Sequence, residues 1–237
     1  MSPPLAERIA LVTGASRGIG RATALALARV GAHVVAVART VGGLEELDDA
    51  IRSGGGSATL VPLDLKDVPG IARLSAALRE RYGRLDVLVG NAGILGPLSP
   101  LDHVEPKTWD DVLAVNVTAN WHLIRSMDAL LKQSAGGRAV FVTSGITAHP
   151  RAYWGPYAVS KAALEVLAKT YAAETASTAI RVNLFNPGAT RTRMRAAAMP
   201  GEDPAELKTV APVAEKILEL CLPTVQDTGK LFDFRDM

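Results

Sequence analysis

The chain has 237 residues, 48% apolar and 21% charged, which is enough for a buried core and excludes wholesale disorder. Its 26 basic and 24 acidic residues leave a formal charge of +2, so nothing calls for a nucleic-acid or membrane partner. A lone cysteine, Cys221, excludes an internal disulfide and fits a reducing compartment. The N-terminus MSPPLAERIALVTG lacks the basic and apolar blocks of a signal peptide, and the most apolar stretch, 22–38, is interrupted by Arg29 and His33. A cytoplasmic globular protein is expected.

Along the chain, short β-branched apolar runs alternate with longer segments of helical period. Strands are predicted at 9–13 (IALVT), 33–38 (HVVAVA), 58–63 (ATLVPL), 87–90 (VLVG), 139–144 (AVFVTS), 180–185 (IRVNLF) and 230–234 (KLFDF). Helices are predicted at 21–30, 44–52, 68–82, 108–132, 156–175 and 211–220. Strands apolar on both faces, alternating with helices, predict an α/β fold. It is a Rossmann-like, doubly wound parallel sheet of about seven strands with helices on both faces. No internal repeat or linker divides the chain, and 1–237 is read as one domain.

The first strand runs into TGASRGIG (13–20), which opens a helix. Gly14, Gly18 and Gly20 allow a tight turn and close approach of a pyrophosphate, which the free N–H groups and dipole of a helix N-terminus attract. Ser16, Arg17 and Ile19 lie in the same loop. At the end of the second strand an acid would suit the ribose of NAD, and an arginine the 2′-phosphate of NADP. The sequence there is AVART, with Arg39 and no acid before Glu45. Arg17 and Arg39 could clamp a dianion together, with Thr40 as an extra donor, so NADP is expected over NAD.

WGPYAVSKAALEVLAK (154–169) begins a later helix. Pro156 suits its first turn, which places Tyr157 there with Lys161 one turn on and on the same face. Helix dipole and ammonium both favour phenolate, so the Tyr157 pKa is expected to fall from about 10 toward working pH. Such a phenol can give or take a proton at a carbonyl or alcohol oxygen. Ser144 stands at the carboxyl end of the fifth strand, the edge where ligands of open α/β sheets bind. Asn116 falls inside the apolar helix WDDVLAVNVTANWHLI, where a buried amide requires a partner.

Taken together, TGxxxGxG at 13–20, NAG at 91–93, PG with a threonine at 187–192, and Asn116, Ser144, Tyr157 and Lys161 in order resemble the short-chain dehydrogenase/reductase family, over essentially the whole chain. The resemblance implies that Tyr157 is the general acid/base and that Ser144 holds the substrate oxygen. Lys161 would bind the nicotinamide ribose and depress the tyrosine pKa, and the Asn116 backbone would position a water leading from Lys161 to solvent. Asp64, with Leu65 beside it, would meet the adenine amine, and Asn91, Ala92 and Gly93 would line the adenosine ribose. Pro187, Gly188 and Thr192 would hold the carboxamide, with Thr190 competing for that work. Gly90 departs from the pattern, since many members carry asparagine there, and looser local hydrogen bonding is expected.

The expected activity is NADP(H)-dependent hydride transfer between nicotinamide and a small-molecule carbonyl or secondary alcohol, and no metal site is expected. A 3-oxoacyl thioester reductase is one substrate-level version; a non-catalytic dinucleotide-binding sensor or scaffold is the alternative from another class. Substrate choice is placed in 145–155 and in the segment after Thr192, a short helical stretch followed by MPGEDP that suggests a mobile lid. There Tyr153 and Trp154 could wall an apolar pocket, and His149, Arg193 and Arg195 could meet an anion. The family resemblance also implies a homotetramer, or a dimer, paired through helices 108–132 and 156–175.

Overall fold

A computed structural model describes residues 3–237. Seven strands, β1 (Ile9–Thr13), β2 (His33–Ala38), β3 (Ser57–Pro62), β4 (Val87–Gly90), β5 (Arg138–Val142), β6 (Arg181–Asn186) and β7 (Leu231–Asp233), form one parallel sheet in the order β3-β2-β1-β4-β5-β6-β7. Helices α1 (Gly18–Arg29), α2 (Val41–Ser53), α3 (Val68–Tyr82), α4 (Pro106–Leu113), α5 (Ala119–Leu131), α6 (Gly155–Glu174), α7 (Arg193–Ala198) and α8 (Val210–Cys221) connect them. Successive strands are added outward in one direction from β1 and in the other from β4, and this switch between β1 and β4 opens a crevice at the carboxyl edge of the sheet.

Alternation along each strand divides the core in two. Val12, Val34, Val87, Val89, Val140 and Val142 face one side, against Ala24 and Leu27 of α1, Leu44 and Leu47 of α2 and Ile217 of α8. Their neighbours Leu11, Val35, Leu88 and Phe141 face the other, against Leu74 of α3, Leu123 and Met127 of α5 and Leu164 of α6. Each such aliphatic side chain stabilises the fold by about 1.5–3 kcal/mol through burial. This two-sided burial is why the strands read as continuous apolar runs.

Local signals set the helix ends. Asp67 caps α3 by accepting from Gly70 N at 3.0 Å, Pro69 lies in the first turn, and Gly83 ends the helix at φ 68°. The expected helix 108–132 is continuous helical backbone in three pieces: α4, a π-helical turn at Ala114–Thr118, and α5. The π turn surrounds Asn116, whose carboxamide reaches out of the helix to the backbone of Ile94, so the ladder widens where a buried side chain is held by a distant segment. Among the described residues no helix is long and apolar enough to cross a membrane.

Candidate active site

The carboxyl ends of β1, β4, β5 and β6 bring together the glycine loop, the NAG turn, Ser144 and the PG turn. Gly14 and Gly18 have φ of 67° and 58°, values an L side chain rarely adopts. A Cβ on Gly20 would strike the Gly14 carbonyl and the Asn91 carboxamide, so the loop closes against the NAG turn. Thr13 joins them: its Oγ1 donates to Val89 O at 3.2 Å and accepts from Asn91 N at 3.0 Å and Ala92 N at 3.1 Å. Asn91 Nδ2 donates to Thr13 O at 2.9 Å, which anchors the NAG turn to β1. The Thr192 methyl lies 3.8 Å from where a Gly18 Cβ would stand, so the PG segment faces the glycine loop directly.

The first turn of α1 has no side-chain cap and no acid, and the Arg17 side chain makes no hydrogen bond or ion pair among the described residues. Open N–H groups and a neighbouring guanidinium suit an anionic phosphate, so the residues present fit a dinucleotide. The Arg39 side chain is 60% exposed, and among the described residues its only ionic contact is Asp64 at 4.0 Å, too long to hold it. Asp64 accepts from Lys66 N at 3.0 Å, a turn-forming role that occupies one oxygen. Leu65 is buried in the core beneath α3, so only its backbone is available to a cofactor. Ser16 packs beside Gly43 of α2, and Ile19 packs partly into the core from α1.

Across the crevice, Asn116 is fully buried. Its Oδ1 accepts from Ile94 N at 2.8 Å, and its Nδ2 donates to Ile94 O and to Ser160 Oγ, both at 2.9 Å. Ser160 Oγ in turn donates to Tyr157 O at 2.8 Å, which ties the π turn to the first turns of α6. Lys161 Nζ donates to Val142 O at 2.7 Å and lies 5.8 Å from the Tyr157 ring centroid. Burial pulls its pKa down to about 8, against the Glu165 carboxylate, which raises it. Gly93 lies beside both Asn116 and Lys161, with a would-be Cβ 3.6 Å from Nζ.

Tyr157 corrects the expectation of a lowered pKa. Only 8% of it is exposed, and desolvation of the phenolate raises its pKa; the Ser144 hydroxyl, hydrogen bonding to it, pulls the other way and is outweighed. The Lys161 ammonium donates to Val142 O and, 5.8 Å from the ring centroid, makes no hydrogen bond to the phenol that would offset this burial. Ser144 also accepts from Ile146 N at 3.4 Å, the weak cap of a single 3₁₀ turn. Asn116 O takes a bond from Asn120 Nδ2 at 2.9 Å, so one of its lone pairs is engaged. The loosening expected at Gly90 shows at Asn120: its Oδ1, 2.5 Å from where a Gly90 Cβ would lie, is buried without a hydrogen-bond partner among the described residues, and it and Phe141 fill the space an asparagine would need.

The PG segment is internally braced. Thr190 is buried, and its Oγ1 donates to Pro187 O and Gly188 O at 3.2 Å, turning that hydroxyl away from any carboxamide. Thr192 Oγ1 accepts from Arg195 N at 3.1 Å as the cap of α7. Arg195 is not free to meet an anion, since it grips Glu202 through two bonds of 2.5 and 2.6 Å. That pair closes the segment on itself, and the bridge between Thr190 and Lys208 ties its end to the PG segment, so 193–208 is a fastened flap. Trp154 stands edge-on to Tyr157 at 6.1 Å between ring centroids, and Tyr153, 59% exposed with φ 73°, forms the rim. Sequence reasoning named Thr13 only as part of the glycine motif and missed Ser160, Asn120 and Asn186, whose partners are set by tertiary contact.

A family model described as short chain dehydrogenase matches residues 8–203. The chain belongs to the short-chain dehydrogenase family and is an oxidoreductase of that class. It is 39% identical over 233 residues to the uncharacterized oxidoreductase YciK of Escherichia coli (strain K12), covering 97% of this chain and 92% of the relative. A short chain dehydrogenase from Shigella flexneri 2a, complexed with NADP, is 38% identical with a TM-score of 0.94, covering 99% of this chain and 100% of that one. One from Escherichia coli CFT073, complexed with NADPH, is 38% identical with a TM-score of 0.92 and 99% of each chain covered.

Proposed function

We propose that the protein is an NADP(H)-dependent carbonyl reductase or alcohol dehydrogenase, acting as one domain. The observation that carries this reading is the convergence of Ser144, Tyr157 and Lys161 on one crevice edge, opposite an uncapped helix N-terminus flanked by a free Arg17. Gly14, Ser16, Gly18, Ile19 and Gly20 would receive the pyrophosphate, Arg17 and Arg39 the 2′-phosphate, and Asp64, the Leu65 backbone, Asn91, Ala92 and Gly93 the adenosine. Pro187, Gly188 and Thr192 would hold the nicotinamide end, with Thr190 bracing the turn from within. NADP(H), when bound, supplies or accepts the hydride.

The chain's own residues handle the proton. Burial keeps the Tyr157 phenol neutral at working pH, the form that donates its proton to a carbonyl oxygen during reduction. Ser144 holds that oxygen by a hydrogen bond. Lys161 stabilises the phenolate left behind, and its pKa near 8 lets it pass a proton on. Asn116, locked to Ile94 and Ser160, keeps α5 and α6 in register around this group. Tyr153, Trp154 and the flap close the substrate side. A thioester-borne 3-oxoacyl group is one carbonyl such a crevice could take. The sensor or scaffold reading has less support, because binding alone does not require Tyr157 and Lys161.

The test is NADPH and NADH binding side by side, followed by Arg39→Ala. NADPH preference is expected, with a fall of about ten-fold or more in Arg39→Ala from the loss of a charge-assisted contact. Equal affinities, or no effect of the substitution, would remove the phosphate clamp.

A further inference from the structure

β6 ends in Asn186, just before the PG turn, and its side chain is buried. Its Oδ1 accepts two backbone bonds at once, from Gly145 N and from Gly188 N, each at 3.0 Å. Gly145 follows Ser144 directly, and Gly188 is the left-handed residue of the PG turn, with φ 61°. A single carboxamide oxygen therefore joins the serine loop to the nicotinamide-side turn. On the other side, Nδ2 donates to Asp233 Oδ2 at 2.6 Å, and Asp233 Oδ1 accepts from Arg235 N at 3.1 Å. Asn186 and Asp233 are register partners across β6 and β7.

We propose that Asn186 is a positioning residue that couples the placement of Ser144 to that of the PG turn, and that Asp233 sets its orientation. An amide can flip, and the flipped form would turn NH₂ toward two N–H donors, leaving three donors facing one another. An ionised carboxylate only accepts, so Asp233 holds Nδ2 on its own side and Oδ1 toward the glycines. A second tie runs in parallel: Lys208 Nζ donates to Ala189 O at 2.7 Å and sits 4.4 Å from the Phe234 ring centroid. The last strand of the chain thus braces the cofactor side of the site from behind. The proposal rests on the reading of Ser144 and Gly188 given above.

Reciprocal exchange tests it. N186D sets two carboxylates against each other, and the double variant N186D/D233N restores one donor facing one acceptor with the direction reversed. N186D is expected to bind NADPH about ten-fold more weakly, as expected for the disturbance of two ordinary hydrogen bonds. The defect should shrink as pH falls, since two facing carboxyl groups come to share a proton. In the double variant affinity should return to within about three-fold of the parent, a span of under 1 kcal/mol. Hydrogen exchange at the Gly145 and Gly188 amides, which needs no cofactor, should accelerate in N186D and slow again in the double variant. D233N alone leaves one acceptor oxygen for two donors, Asn186 Nδ2 and Arg235 N, so it should show a smaller defect of the same kind, and recovery in the double variant excludes misfolding as the cause. Unchanged exchange and affinity in N186D, or a double variant no better than N186D, would overturn the proposal. Should the parent bind neither NADPH nor NADH, the functional reading fails, and amide exchange still decides the coupling.

Discussion

Lys161→Met isolates the cost of holding a charge inside the site. The Lys161 ammonium is 3% exposed, and its pKa falls from 10.5 to about 8 in the folded chain. Between those values the unfolded chain binds more protons than the folded one, so stability rises with pH across that window. Below about pH 8 the penalty is fully present, on the order of 3 kcal/mol. Methionine fills nearly the same volume without the charge, but gives up the bond to Val142 O, about 1.5 kcal/mol for a charged donor. The variant should therefore be more stable by about 1–2 kcal/mol at pH 7, although inactive. The gain should fade as pH rises from about 8 toward 10.5. Urea unfolding at fixed protein concentration, repeated across that range, reads the difference directly. A variant no more stable at pH 7, or a difference unchanged by pH 10, would show that burial does not set the lysine's behaviour.

Tyr157→Phe removes the proton donor and leaves the ring packed against Trp154; carbonyl reduction should fall by about 10²–10⁴-fold with NADPH affinity nearly unchanged. A loss of binding equal to the loss of rate would assign the phenol to cofactor binding instead. On assembly, we propose that α5 and α6 pair with a second copy, since Trp121, Val159 and Val166 are exposed on them at 45%, 44% and 65%. Sedimentation at micromolar concentration should give a dimer or tetramer, and a monomer alone would refute it.

The strands were legible because each is a short run buried on both faces. β1, β2 and β4 fall on the predicted residues, and α3 does so because Asp67, Pro69 and Gly83 punctuate it. Asn116, Ser144, Tyr157 and Lys161 could be picked out because their types and spacings are local text. The helix expected over 108–132 hid its π turn, since the cause is a bond from Asn116 to Ile94, a residue on a separate loop. The direction of the Tyr157 shift was misread for a related reason: the spacing of Tyr157 and Lys161 shows proximity, while desolvation depends on what else packs around them.

Hydrophobic period, helix punctuation and glycine placement are properties of neighbouring residues, and from them the sequence by itself determined the parallel sheet and its alternation of strands and helices, while the candidate site residues were named through the motifs that resemble the family. Tertiary structure alone decided which polar groups those residues spend on one another. It gave Asn186 two glycine amides and Asp233, committed Arg195 to Glu202, and turned Lys161 toward Val142. Hydrogen bonds and burial join positions far apart in the chain, and their strength depends on angles and on excluded water that no local pattern encodes.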